Sequence, residues 1–124
     1  MPQITLEYTD NIKSYIDYRK LFFQIHLFLE KTGGIDAKNC KSRIQILDQY
    51  FIDQGQDNCA FVHLELALYK GRSVELKKKF GAGLLDILHQ FFETENSNVD
   101  LQLTVEIRDI VRETYFKFPY DRSN

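Results

Sequence analysis

The sequence predicts an α+β fold of two layers: a duplicated β-α-β unit whose four strands form one sheet, with both helices on a single face. Three observations carry this expectation. Apolar and polar residues alternate over four segments, the period of a half-buried strand. Two longer segments repeat apolar residues at helical spacing. The order strand, helix, strand is written twice, over about residues 2–51 and again over 59–108, leaving a tail at 109–124. With 124 residues, the chain reads as one domain, 1–124.

The first strand rests on Ile4, Leu6 and Tyr8, which alternate with polar neighbours over residues 3–8 and end at the turn signal Asp10-Asn11. A helix is expected from about Ser14 to Lys31, with Tyr15, Tyr18, Phe22, Ile25 and Leu29 on one stripe widened by Leu21 and Phe28. Gly33-Gly34 follows as its C-cap and turn. A second strand is expected over about 41–51, with Ile44, Ile46, Tyr50 and Phe51. The polar run 53–58 is a connection.

The second half repeats the plan. Ala60, Val62, Leu64, Leu66 and Leu68 mark a long strand over 59–69, and Ser73 is a good N-cap after the short loop Lys70-Gly71-Arg72. The helix from about Val74 to Glu93 carries Leu76, Phe80, Leu84, Ile87 and Phe91, while Gly81 and Gly83 within it allow close packing. A break at 93–98 precedes the clearest strand, on Val99, Leu101, Leu103, Val105 and Ile107. The helical crossovers make the two strands of each half parallel. Tyr8, Tyr50, Phe51, Phe61 and Tyr69 are more large side chains than two helices can hide. An uncovered apolar sheet face argues for association. The aromatic tail, with Tyr115, Phe116, Phe118 and Tyr120, is read as packing either on its own domain or on a neighbouring subunit.

Composition narrows the function classes. A formal net charge of -2 gives no electrostatic case for nucleic acid. No stretch approaches the roughly 18 apolar residues of a membrane span, and the N-terminus has no secretory pattern. Cys40 and Cys59 form no CxxC pair and read as buried free thiols of a reducing, cytoplasmic compartment. His26, His63 and His89 lack metal-ligand spacing, so neither metal nor cofactor is expected.

Chemistry points first to Pro2. Removal of Met1 leaves a secondary amine at the N-terminus, and an α-amino group titrates near about 7.7–8.0. Burial or a neighbouring cation lowers that value and gives a base suited to removing a proton beside a carbonyl. Taken alone, Met1-Pro2 is an ordinary chain start. Such a base needs cations for an anionic substrate and its enolate. Lys41 and Arg43, two apart on one strand, share a sheet face. Arg72 sits just before the second helix, where a guanidinium can grip a carboxylate and the helix N-terminus favours an anion. By spacing alone, each reads first as a solvated surface charge. Lys77-Lys78-Lys79 reads as a solvated helix face, and His63, on one face with Glu65, as a buried, hydrogen-bonded structural residue.

The ordered set Met1-Pro2, Asp10-Asn11-Ile12, Lys41-Ser42-Arg43, Ala60-Phe61-Val62-His63, Gly71-Arg72-Ser73 and Phe116-Lys117 resembles the 5-carboxymethyl-2-hydroxymuconate isomerase family of the tautomerase superfamily along nearly the whole chain. The resemblance implies a tautomerase-like homotrimer, with sites at subunit boundaries. It also implies a cofactor-free 1,3-shift of a proton and double bond in an unsaturated keto di- or tricarboxylate, within catabolism of an aromatic acid such as homoprotocatechuate. Pro2 is then the general base, and Arg72, Arg43 and Lys41 bind substrate carboxylates. The family pattern at 41–43 is Arg-Ser-Arg, so Lys41 keeps the charge without the planar fork. Two alternatives stand beside this: another tautomerase-superfamily activity, a keto-enol tautomerase or decarboxylase, and a non-catalytic trimeric binding module.

Overall fold

In the computed structural model, residues 2–12, 15–92 and 99–119 are described. Met1, Ser14, the break at 93–98 and Tyr120, all named in the sequence reading, lie outside them. The elements run β1 (Gln3–Thr9), α1 (Tyr18–Gly33), β2 (Lys41–Leu47), β3 (Cys59–Tyr69), α2 (Val74–Phe92) and β4 (Asp100–Ile110), with short 3-10 turns at Ala37–Asn39 and Arg112–Thr114. The four strands form one sheet in the order β2-β1-β3-β4. Each helix-connected pair, β1 with β2 and β3 with β4, is parallel, and the two halves join antiparallel through β1 and β3.

The alternating pattern sorts the sheet into two faces. Ile4, Leu6 and Tyr8 of β1 and Val62, Leu64 and Leu66 of β3 are buried in one cluster with Leu21, Ile25 and Leu29 of α1 and Phe80, Leu84 and Leu88 of α2. Both helices therefore cover the same face. Tyr8 belongs to this core, edge-on to Phe92 at 5.2 Å.

The opposite face corrects the expectation of an apolar surface. Register sets Gln3, Thr5 and Glu7 beside Lys41, Arg43 and Gln45 on one side and Ala67, Glu65 and His63 on the other. β4 adds Gln102, Thr104, Glu106 and Arg108. Phe61 and Tyr69 of β3 lie on this face as expected, but polar residues outnumber them and cross-link it by charge: Arg108 meets Glu65 at 3.1 Å and Glu106 at 3.5 Å.

Several boundaries move for local reasons. α1 begins at Tyr18 because Asp17 caps it, its carboxylate accepting from the Lys20 N–H at 3.2 Å. Tyr15 thus falls outside the helix and is 87% exposed. β2 ends at Leu47, so Tyr50 and Phe51 lie in the loop that follows. β4 runs on to Ile110, beyond the expected end of the alternation. Gly34 ends α1 in the left-handed region, φ 67°, its N–H meeting the carbonyls of Glu30 and Leu29. The two glycines of α2 differ. A β-carbon at Gly83 would overlap the Phe28 ring, which fixes the close approach of α1 and α2, whereas one at Gly81 would meet only Ile107, at 3.9 Å.

Candidate active site

Pro2 is buried immediately before β1, and its carbonyl accepts from the Lys41 N–H at 3.1 Å. That bond extends the β1–β2 ladder by one step and sets the start of β2 beside the proline. On the other side Gln3 pairs with Ala67, so β1 begins opposite the last turn of chain before Tyr69. Arg72 follows the Lys70-Gly71 turn, where Gly71 takes a φ of 129°. The sequence-predicted residues Pro2, Lys41, Arg43 and Arg72 therefore gather at one end of the sheet.

Their side chains are held differently. Lys41 and Arg43 share the open face as the two-residue spacing requires, and both are exposed. Lys41 Nζ donates to the Asn39 carbonyl at 3.3 Å. Arg43 Nη1 donates to Gln3 Oε1. Arg72 is half-buried, with Nη1 donating to the Tyr69 carbonyl at 3.1 Å. Ser73 caps α2 by accepting from the Leu76 N–H at 3.1 Å, so Arg72 stands at a helix N-terminus with a positive end potential. Cys40, between the 3-10 turn and Lys41, is half-buried, and burial pushes its thiol up from the ordinary range. Cys59 is also a free thiol, and it is buried.

Further side chains join this end. Gln3 Nε2 donates to the Tyr115 hydroxyl at 2.8 Å. The Tyr115 ring stands edge-on to Tyr69 at 5.7 Å, and the Arg112 guanidinium lies 3.7 Å over the Tyr69 ring. Strand alternation puts Gln3 on the face of Arg43, a signal legible in the sequence. Nothing in the spacing of the tail singles out Tyr115 or Arg112. Of the tail's aromatics, Tyr115 packs on its own domain while Phe116 and Phe118 are exposed.

Other candidates separate from this cluster. His63 is half-buried rather than buried: its Nδ1 lies 2.7 Å from Thr104 Oγ1 and its Nε2 3.8 Å from Glu106. Glu65, its neighbour on the face, pairs instead with Arg108. Lys77 reaches Asp109 at 3.3 Å, while Lys78 and Lys79 are exposed. A cavity of about 530 Å³ lined by Asn11, Asp48, Tyr50, Phe51 and Asp57 lies beyond the other end of β1 and includes none of the three cations. Among the described residues, no group of three or more His, Cys, Asp or Glu could hold a metal ion.

Comparison with known proteins gives a consistent result. The profile of the 5-carboxymethyl-2-hydroxymuconate isomerase family matches residues 2–119. A 5-carboxymethyl-2-hydroxymuconate Delta-isomerase of Escherichia coli is 29% identical over 117 residues, covering 94% of this chain and 93% of that protein. The crystal structure of a 5-carboxymethyl-2-hydroxymuconate isomerase from Deinococcus radiodurans superposes with a TM-score of 0.84 at 30% identity, covering 94% of this chain and 87% of the other. A fused 4-OT symmetric trimer, at 15% identity, shares the fold with a TM-score of 0.74 over 94% of this chain and 91% of its own.

Proposed function

Because this chain belongs to the 5-carboxymethyl-2-hydroxymuconate isomerase family, we propose that it is a cofactor-free isomerase in which Pro2 carries a proton between two carbons of an unsaturated keto di- or tricarboxylate. The observation that carries the reading is the joining of Pro2 to the head of the cation-bearing strand β2, through the Lys41 N–H and the Pro2 carbonyl at 3.1 Å. A base and cations for an anionic substrate then belong to one end of one sheet.

The chemistry follows from these groups. With Met1 removed, the Pro2 nitrogen is a secondary amine, and its burial favours the neutral form. From the keto form of the substrate it takes a proton from a carbon beside the carbonyl; from the dienol form the same charged oxygen arises by loss of the enol O–H proton. In the keto form the electron pair of the broken C–H bond moves into the conjugated system and places negative charge on the carbonyl oxygen. The ammonium then returns the proton to a different carbon, and the double bond has moved with no net change in atoms or electrons. Arg43 and Arg72 hold substrate carboxylates, with Lys41 assisting.

The substrate that fits best is 5-carboxymethyl-2-hydroxymuconate, formed when an aromatic acid such as homoprotocatechuate is broken down in the cytoplasm. The working unit in this reading is a homotrimer. Support comes from the exposed aromatics Phe23, Phe51, Phe116 and Phe118 at 70–89%. Sedimentation of the purified chain tests the trimer directly. Turnover on the tricarboxylate compared with a simple α-keto acid tests the substrate. A preference for the tricarboxylate is expected, and equal or faster handling of the simple acid would transfer the reading to a keto-enol tautomerase.

A further inference from the structure

Gln3, the residue after Pro2, has both ends of its side-chain amide engaged. Arginine carries donors and no acceptor, so the amide oxygen must face Arg43, and this fixes the nitrogen toward Tyr115. That nitrogen is a donor without a usable lone pair, so the Tyr115 oxygen is the acceptor of their 2.8 Å bond. The hydroxyl hydrogen of Tyr115 is left over, and no hydrogen bond among the described residues takes it. The ring that carries it is held in place by its edge contact with Tyr69 at 5.7 Å and 89°. Tyr69 is anchored in turn by Arg112 over its ring and by Arg72 on its carbonyl. An oriented, half-buried hydroxyl with a proton to donate therefore stands hydrogen-bonded to the side chain of the residue that follows Pro2.

We propose that Tyr115 is a catalytic residue whose O–H donates a hydrogen bond to the substrate carbonyl oxygen as that oxygen gains enolate charge. The proposal rests on the reading that an enolising substrate binds at this end of the sheet. It does not depend on which group removes the proton. When the C–H bond breaks, its electron pair enters the conjugated system and charge collects on oxygen. The Tyr115 hydrogen bond strengthens without transferring its proton. When the proton returns to the other carbon, the carbonyl reforms and the bond relaxes. A neutral hydroxyl suits an oxygen that is charged only during the reaction, whereas Lys41, Arg43 and Arg72 suit carboxylates that are charged throughout. Gln3 is the positioning residue: it aims the tyrosine by occupying its lone pair.

The test is steady-state kinetics on 5-carboxymethyl-2-hydroxymuconate with the unaltered protein and with Tyr115→Phe, Gln3→Glu, the double variant and Pro2→Ala. Tyr115→Phe keeps the ring against Tyr69 and removes only the donor. We expect kcat to fall about 100-fold with KM within about threefold. Gln3→Glu keeps an acceptor for Arg43 but captures the tyrosine hydrogen, so its kcat falls with that of Tyr115→Phe, and the double variant falls no further. A Tyr115→Phe protein whose kcat is unchanged, or whose only defect is a raised KM, overturns the proposal. So does Gln3→Glu at full rate, a readout that survives if the phenylalanine variant fails to fold. Pro2→Ala separates the two ideas: full activity there with a slow Tyr115→Phe removes the proline reading and leaves the tyrosine standing. An inactive Pro2→Ala with a fast Tyr115→Phe does the reverse.

Discussion

Arg72 donates through Nη1 to the carbonyl oxygen of Tyr69 at 3.1 Å, folding the guanidinium back across the Lys70-Gly71 turn onto the end of β3. One donor is spent on holding the side chain, and the others of the fork remain for a ligand. A lysine there has no fork with which to do both. Arg72→Lys is therefore expected to raise KM by about tenfold or more, the scale of one charge-assisted hydrogen bond, while leaving the melting temperature nearly unchanged. An unaltered KM in steady-state assays would remove Arg72 from the binding set.

Lys41 offers the complementary test. Its ammonium donates to the Asn39 carbonyl, at 3.3 Å, from an exposed position. Lys41→Arg supplies a bidentate grip and is expected to lower KM for the tricarboxylate severalfold, whereas Lys41→Ala raises it. If the two variants bind alike, position 41 does not touch the substrate.

The helix pair gives a stability prediction in which two similar substitutions differ in sign. Gly83→Ala pushes a methyl group into the Phe28 ring and is expected to cost about 1–3 kcal/mol, as overpacking does. Gly81→Ala has room, with Ile107 the nearest atom at 3.9 Å, and gains about 0.5–1 kcal/mol of helix preference. Urea unfolding of both variants checks the pair, and the same sign for both would contradict this account of the α1–α2 contact.

His26 makes stability depend on pH. Its Nε2 lies 2.6 Å from Ser42 Oγ, linking α1 to β2, and burial pushes the imidazole below its ordinary 6.5. The folded chain therefore takes up the proton less readily than the unfolded one. Its stabilising contribution is fully present above about pH 6.5 and is lost as pH falls through the lower folded value. Urea midpoints measured across this window should fall on acidification, and His26→Gln should flatten the slope. An unchanged slope would assign the acid sensitivity elsewhere.

These tests draw unequally on what the sequence discloses. Strand alternation puts Ile4, Leu6, Val62 and Leu64 in the core and Lys41 with Arg43 on the other face, because a period of two admits only one arrangement when one face is buried. The same logic moves Tyr8 into the core beside Leu6 and leaves Phe61 and Tyr69 on an open face otherwise dominated by polar residues. Helix stripes are less sharp: Tyr15 fits the periodicity of α1 but lies outside it, since the local bond from Asp17 decides where the helix starts. The join between Gln3 and Tyr115 spans 112 positions, and no local pattern reports so distant a contact. His63 and Glu65 alternate onto one face, yet the partners of each come from β4, because the register across strands, not the spacing along one, determines who meets whom.

The central claim is that Pro2 carries the proton, and the most direct measurement is the ultraviolet progress curve of 5-carboxymethyl-2-hydroxymuconate with protein whose intact mass confirms removal of Met1. The account predicts rapid loss of the dienol signal with the unaltered chain and a fall of about 100-fold or more for Pro2→Ala, the scale of a lost general base, with the folded assembly retained. A Pro2→Ala protein that keeps the full rate, or an unaltered protein with a free Pro2 that does not exceed the buffer background, would contradict it.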